Sequence, residues 1–125
     1  MATSENEIGG TEFDQLCEMM GREWVCNGLV QLKREIDELF ANPSIAADRQ
    51  EVAQRAHLLI AHAGLFGFSI LSRLCGELEV ACMGQGEIFT VFGRTRAAAN
   101  LADNRAGELI KFITQTRSAP SRFGD

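Results

Sequence analysis

The 125-residue chain has no tyrosine, only two prolines, and only two lysines among its twelve basic residues. Scarce proline, together with abundant alanine, leucine and glutamate, favours helices over a turn-rich sheet protein. No stretch approaches the roughly 20 apolar residues of a membrane span. The first ten residues, MATSENEIGG, lack the basic start and apolar run of a signal peptide. We therefore expect a cytoplasmic protein that does not contact a membrane.

Positive charge is also in short supply, because 17 acidic residues against 12 basic ones give a net charge of −5. This balance argues against a nucleic acid or an anionic surface as the main partner. Hydrophobic residues make up 46% of the chain and charged residues 23%, which is close to the average for globular proteins. The length is that of one domain. We expect a single globular domain that binds no nucleic acid.

The four cysteines form no CxxC pair, and each lies within an apolar helical pattern, where a thiol behaves as a small hydrophobe. We interpret Cys17, Cys26, Cys75 and Cys82 as reduced thiols in or near the core. A metal or redox bundle using Cys75, Cys82 and a histidine is a weaker alternative. No metal site is expected on His57 and His62 together, because helix positions five apart point about 140° away from each other.

Apolar residues recur at helical spacing in five segments. These predict an all-α fold, an antiparallel up-down four-helix bundle with an additional short N-terminal helix. The bundle should occupy residues 11–116, between a polar leader (1–10) and a flexible tail (117–125). The predicted helices run from Thr11 to near Gly21, from Trp24 to Phe40, from Asp48 to Phe66, from Phe68 or Ser69 to Cys82, and from near Glu87 onward. The last helix carries the apolar residues Phe89, Val91, Phe92, Ala98, Leu101, Leu109, Phe112 and Ile113.

The two histidines have different predicted directions on the third of these segments. His57 lies roughly 140° from the centre of the apolar stripe and should face solvent. His62 lies roughly 80° from it, at the boundary, where a histidine usually hydrogen-bonds a neighbouring helix or a water molecule. The surroundings of His57 are unusually small and apolar for an outward face, which predicts a docking surface. Its predicted members are Ala53, Leu58, Ile60, Ala61, Gly64 and Leu65.

One segment carries a family pattern. Ala56-His57, Gly67, Leu71, Leu74-Cys75 and Leu78-Glu79 follow AHxLKGxAxxxGxxxLxxxCxxLE without a gap. In this the chain resembles the histidine-containing phosphotransfer (HPt) domains of two-component phosphorelays. It departs from them at Ile60, where the family has lysine, at Ala61, where it has glycine, and at His62, where serine is common.

The resemblance implies a phosphorelay intermediate. His57 would accept a phosphoryl group, on Nε2, from a receiver-domain aspartate and pass it to another receiver, with Gln54, Arg55 and Arg73 as candidates to support the ring or the phosphoryl group. It implies no cofactor on this chain, with Mg²⁺ on the receiver only, and no kinase or ATPase activity. The expected partners are a response-regulator receiver domain and a hybrid histidine kinase, and the expected state is a monomer.

Ile60 in place of lysine suggests an alternative, a phosphorylation-deficient HPt-like protein that docks and regulates a receiver or a histidine kinase. A further alternative is that the apolar face around His57 is a dimer seam, as in the dimerisation domains of histidine kinases.

Overall fold

Five helices make up most of the described chain. The computed structural model describes residues 11–41, 48–84 and 87–118, and within these ranges it contains no strand. The prediction of an all-helical protein is therefore confirmed. The helices are α1 (Thr11–Met20), α2 (Arg22–Phe40), α3 (Arg49–Leu65), α4 (Ser69–Met83) and α5 (Ile88–Ser118).

The helix boundaries agree with the sequence-based ones to within one or two residues at most ends. α5 continues to Ser118, two residues into the predicted tail. Residues 1–10, 42–47, 85–86 and 119–125 lie outside the described residues, and with them the polar leader and the rest of the predicted tail. None of the described helices combines the length and apolar character that crossing a bilayer requires.

The four longer helices contact one another in a closed order. α3 packs most extensively against α4, α4 also packs against α5, and α2 packs against both α3 and α5, while α1 packs against α2. The α2 core residues follow spacings of three and four, as an amphipathic helix requires. They are Val25, Leu29, Leu32, Ile36 and Leu39.

The buried stripe of α5 leaves out some of the large apolar residues of this helix. Phe89, Leu101 and Phe112 are 61%, 63% and 54% exposed, so these three lie outside the core. Alanines fill much of the buried stripe, at Ala98, Ala99, Ala102 and Ala106. Small side chains allow helices to approach closely, and a close approach leaves no space for phenylalanine rings. The core of this helix therefore combines Leu109 and Ile113 with small alanines.

α2 and α3 meet closely at Gly28. The Phe66 ring lies over this glycine, and an added Cβ would collide with its Cζ atom. The Trp24 ring packs beside Phe66, with the ring centroids 6.2 Å apart. Glycine at this helical position therefore serves the packing of Phe66.

We expect Gly28→Ala to lower the free energy of unfolding by up to about 2 kcal/mol, because overpacking costs about 1–3 kcal/mol and alanine returns at most about 1 as a better helix former. Urea unfolding measures this difference. Gly93→Ala is the matched control, since a Cβ there meets nothing within 4 Å. It should stabilise the protein, and equal stability of the two variants would contradict the steric argument.

Candidate functional site

The turn between α3 and α4 determines which residues of these helices face each other. Gly67 has a φ of 89°, a conformation that glycine adopts without strain. The Phe68 amide donates to the Ala63 carbonyl at 2.8 Å and the Gly67 amide to the Gly64 carbonyl at 3.1 Å. Ser72 Oγ donates to the Ile60 carbonyl at 2.8 Å and joins the two helices beyond the turn. α4 therefore returns alongside α3.

This return brings Glu79 of α4 opposite His57 of α3. The His57 side chain is 70% exposed, as its helical position predicts. Its Nδ1 lies 3.1 Å from both carboxylate oxygens of Glu79. A carboxylate only accepts hydrogen bonds, so Nδ1 carries the proton and donates it. In the neutral imidazole, the second ring nitrogen, Nε2, then carries the lone pair.

A groove runs along the α3–α4 contact beside this pair. α3 lines it with Arg49, Gln50, Ala53, Gln54, His57 and Leu58, and α4 with Glu79, Cys82 and Met83. Met83 is exposed, and Leu58 is half-exposed. The groove therefore presents His57 next to apolar surface.

The predicted docking residues do not form one patch. Leu58, Ala61, Gly64 and Leu65 are exposed, as predicted. Gly64 and Leu65, however, line a separate depression with Phe13 and Met19 of α1. These two residues belong to the C-terminal end of α3, away from the groove of His57.

Two docking residues require correction. Ala53 is only 7% exposed, and Ile60 is half-buried and packs against the core. Both share the side of α3 that α4 covers, because positions 53, 57 and 60 are separated by four and three residues. The longer imidazole of His57 reaches beyond this cover, whereas the methyl group of Ala53 does not.

The structure brings neither arginine candidate to His57. Arg55 pairs with Glu38 and Glu51, each at 3.0 Å. Arg73 lies 3.7 Å from Glu77. The expectation of a cation from Arg55 or Arg73 beside the imidazole is therefore not met, and only Gln54 of the three support candidates lines the groove of His57.

Sequence reasoning did not select the arginine and the glutamate that line this groove, Arg49 and Glu79. Glu79 was considered only as the last residue of the family pattern. Its position in that pattern, 22 residues after His57, was the signal that could have identified it. Arg49 was not selected at all. It lies eight residues before His57, so the two share a stripe of α3.

His62 occupies the boundary position that was predicted for it. Its Nδ1 donates to Glu35 Oε1 at 2.7 Å, and Gln31 Nε2 donates to the other oxygen at 3.2 Å. Glu35 is a buried carboxylate, 8% exposed, on α2. A buried charge needs such partners, so His62 has a structural role in joining α3 to α2.

The four cysteines are free thiols; Cys75 and Cys82 are buried and Cys17 and Cys26 are half-buried. This agrees with their interpretation as thiols in or near the core. In the part of the chain that the structure describes, no three His, Cys, Asp or Glu side chains converge as a metal site would require. The alternative of a metal bundle on Cys75 and Cys82 gains no support there.

Cys75 gives a test of this buried environment. Burial raises the pKa of its thiol from 9.0 to about 12. The folded protein thus keeps the proton where the unfolded chain loses it, so the free energy of unfolding should fall as pH rises from 9 toward 12. At about pH 10.5 the free energy of unfolding should be lower by roughly 2 kcal/mol, at 1.36 kcal/mol per pH unit. The chain contains no tyrosine, so no phenol titrates in the same range. In denaturant unfolding, the free energy of unfolding of Cys75→Ala should fall less between pH 9 and pH 10.5 than that of the wild type. An equal fall in both proteins would contradict the prediction.

The chain was compared with family models, curated proteins and solved structures, and none of them matches it.

Proposed function

We propose that the protein is an HPt-like phosphorelay intermediate that accepts a phosphoryl group on Nε2 of His57. The observation that carries this proposal is an exposed imidazole whose Nδ1 is held by Glu79 at 3.1 Å. A nucleophilic histidine needs one nitrogen fixed as a donor and the other free and accessible. The family pattern from Ala56 to Glu79 adds a second argument for the same residue.

The proposal includes an antiparallel up-down bundle of α2, α3, α4 and α5, with α1 attached to α2. Three features support this arrangement. The connections between the long helices are short, the four helices contact one another in a closed order, and the turn at Gly67 reverses the chain direction between α3 and α4. Antiparallel bundles combine short connections with such neighbour contacts.

In the proposed transfer, the Nε2 lone pair of His57 attacks the phosphorus of an aspartyl phosphate on a receiver domain. The N–P bond forms while the P–O bond to the aspartate breaks, and the bonding electrons return to the receiver's carboxylate. A second receiver's aspartate reverses the step. In-line transfer requires mainly position and access from this chain.

Glu79 supports this step without taking part in the bond changes. The imidazole gains positive charge as Nε2 bonds to phosphorus, while Nδ1 keeps its proton. A carboxylate at 3.1 Å from Nδ1 stabilises that charge and holds the ring in one orientation, as carboxylates do for catalytic histidines. Mg²⁺ belongs to the receiver in this scheme, so the chain itself would need no cofactor.

One observation favours the second candidate, a phosphorylation-deficient HPt-like protein that binds and regulates a receiver or histidine kinase. Position 60 is isoleucine, and the nearest charged group to the His57 ring nitrogen is the Glu79 carboxylate. An acid beside the imidazole repels an incoming phosphoryl group, and no lysine at position 60 offsets this repulsion.

Phosphotransfer separates the two candidates. A panel of receiver domains is phosphorylated with radiolabelled acetyl phosphate, freed of the reagent and mixed with the protein. We expect label to move to the protein as an acid-labile, alkali-stable phosphate. Receiver binding without any transfer of label would support the regulatory candidate instead.

A further inference from the structure

Arg49 places a positive charge at the far end of the His57 groove. It begins α3, and Arg49, Ala53 and His57 follow one another at intervals of four residues along one side of the helix. Eight residues of helix correspond to about 12 Å of axial rise. Arg49 is therefore too far from His57 to hold the same phosphoryl group, but it is close enough to contact the same partner.

The guanidinium of Arg49 is fixed by neutral acceptors. Its Nη1 donates to the carbonyls of Ala81 at 3.0 Å and Gly84 at 3.2 Å, at the C-terminal end of α4. The carbonyls at this helix end carry only a partial negative charge, so they orient the guanidinium and leave it a net positive charge. A guanidinium also has further N–H groups for a partner. The carboxylate of Glu51, two residues further along α3, forms its ion pair with the guanidinium of Arg55.

The charge of Arg49 acts within the groove. Burial raises the pKa of Cys82, which lines the same groove, and the positive charge of Arg49 opposes that rise. The groove thus has an oriented cation at one end, the imidazole of His57 further along, and the apolar side chains of Leu58 and Met83 beside them.

We propose that Arg49 is a docking residue that pairs with the acidic rim of a receiver domain's phosphorylation site. This inference rests on the proposed function. A phosphorylated aspartate and the carboxylates that hold Mg²⁺ make that site strongly negative. A cation about 12 Å from the nucleophile contacts the rim of such a site, where a charge sets the rate of encounter and its salt dependence.

The test measures binding and transfer for wild type, Arg49→Gln and Arg49→Lys, with the acetyl-phosphate-treated receiver panel at low and high salt. Arg49→Gln should bind up to about fivefold more weakly at low salt and show a shallower salt dependence. Its transfer rate at saturating receiver should be unchanged. Arg49→Lys should retain the salt dependence, because it keeps the charge.

Arg55→Gln is the matched control. It also removes a cation from α3, but one already paired with Glu38 and Glu51, so its binding should resemble that of the wild type. If Arg49 only holds the C-terminal carbonyls of α4, Arg49→Gln should lower the thermal midpoint without changing the salt dependence of binding. That result would overturn the inference. Wild-type affinity and salt dependence in Arg49→Gln would overturn it too.

The two proposals fail in different ways. A wild-type protein that accepts label while Arg49→Gln binds like the wild type removes the docking role and leaves the proposed function intact. A wild-type protein that binds receivers in an Arg49-dependent manner but accepts no label keeps the docking role and removes phosphotransfer. Absence of binding to every receiver overturns both.

Discussion

His57→Gln should reduce phosphoryl transfer from a phosphorylated receiver to background, whereas His62→Gln should transfer at close to the wild-type rate. Glutamine has no nucleophilic ring nitrogen, so the first substitution removes the acceptor atom itself. The imidazole of His57 is 70% exposed, so an aspartyl phosphate can reach it. Label on the variants after gel separation, with acid and alkali treatment of each band, measures the difference.

His62 is a demanding control because it also pairs with a carboxylate. The chain contains two histidine–carboxylate pairs among its described residues, and burial distinguishes them. Glu35 is buried between α2 and α3, and the His62 side chain is only 40% exposed. The amide of a glutamine at this position can still donate to Glu35, so His62→Gln should remain folded. Label that survives His57→Gln but is lost in His62→Gln would move the site to His62.

Helical periodicity was sufficient to predict part of this site. The different directions of His57 and His62 follow from 100° per residue and an apolar stripe, both of which are local properties of α3. Neighbours within one helix are therefore predictable from sequence. The same reasoning predicted five helical segments, because each has apolar spacing and several end at a glycine such as Gly67 or Gly84.

The contacts between helices could not be predicted in this way. His57 meets Glu79 because the turn at Gly67 sets the register of α4 against α3, and periodicity within one helix contains no information about register. Arg55 was a candidate to support the His57 ring or the phosphoryl group, but acids on α2 and α3 hold it. Ala53 was assigned to the surface because the position of the covering helix was unknown. Which residues of the site are exposed, and which of its charges are paired, thus depend on how the helices pack against one another.

Glu79→Ala should slow transfer to His57 by about 10–100-fold, the usual effect of removing a carboxylate that orients a functional histidine. Without it, Nδ1 loses its acceptor, the ring rotates, and the proton moves to Nε2 in part of the population. Glu79→Gln keeps a carbonyl acceptor but no charge, so its rate should fall between those of the wild type and Glu79→Ala. Single-turnover transfer at saturating receiver measures these rates.

The control for this prediction is Glu77→Ala on the same helix. The Glu77 carboxylate lies 3.7 Å from Arg73 and 3.5 Å from Arg94 rather than at His57, so its loss should leave the transfer rate unchanged. The order of the transfer rates of the wild type, Glu79→Gln and Glu79→Ala then separates the effect of ring orientation from the effect of the carboxylate charge. A rate in Glu79→Gln equal to the wild type would assign the effect to ring orientation alone. Faster transfer in Glu79→Ala would mean that repulsion of the phosphoryl group outweighs orientation of the imidazole, which is the electrostatic basis of the regulatory candidate.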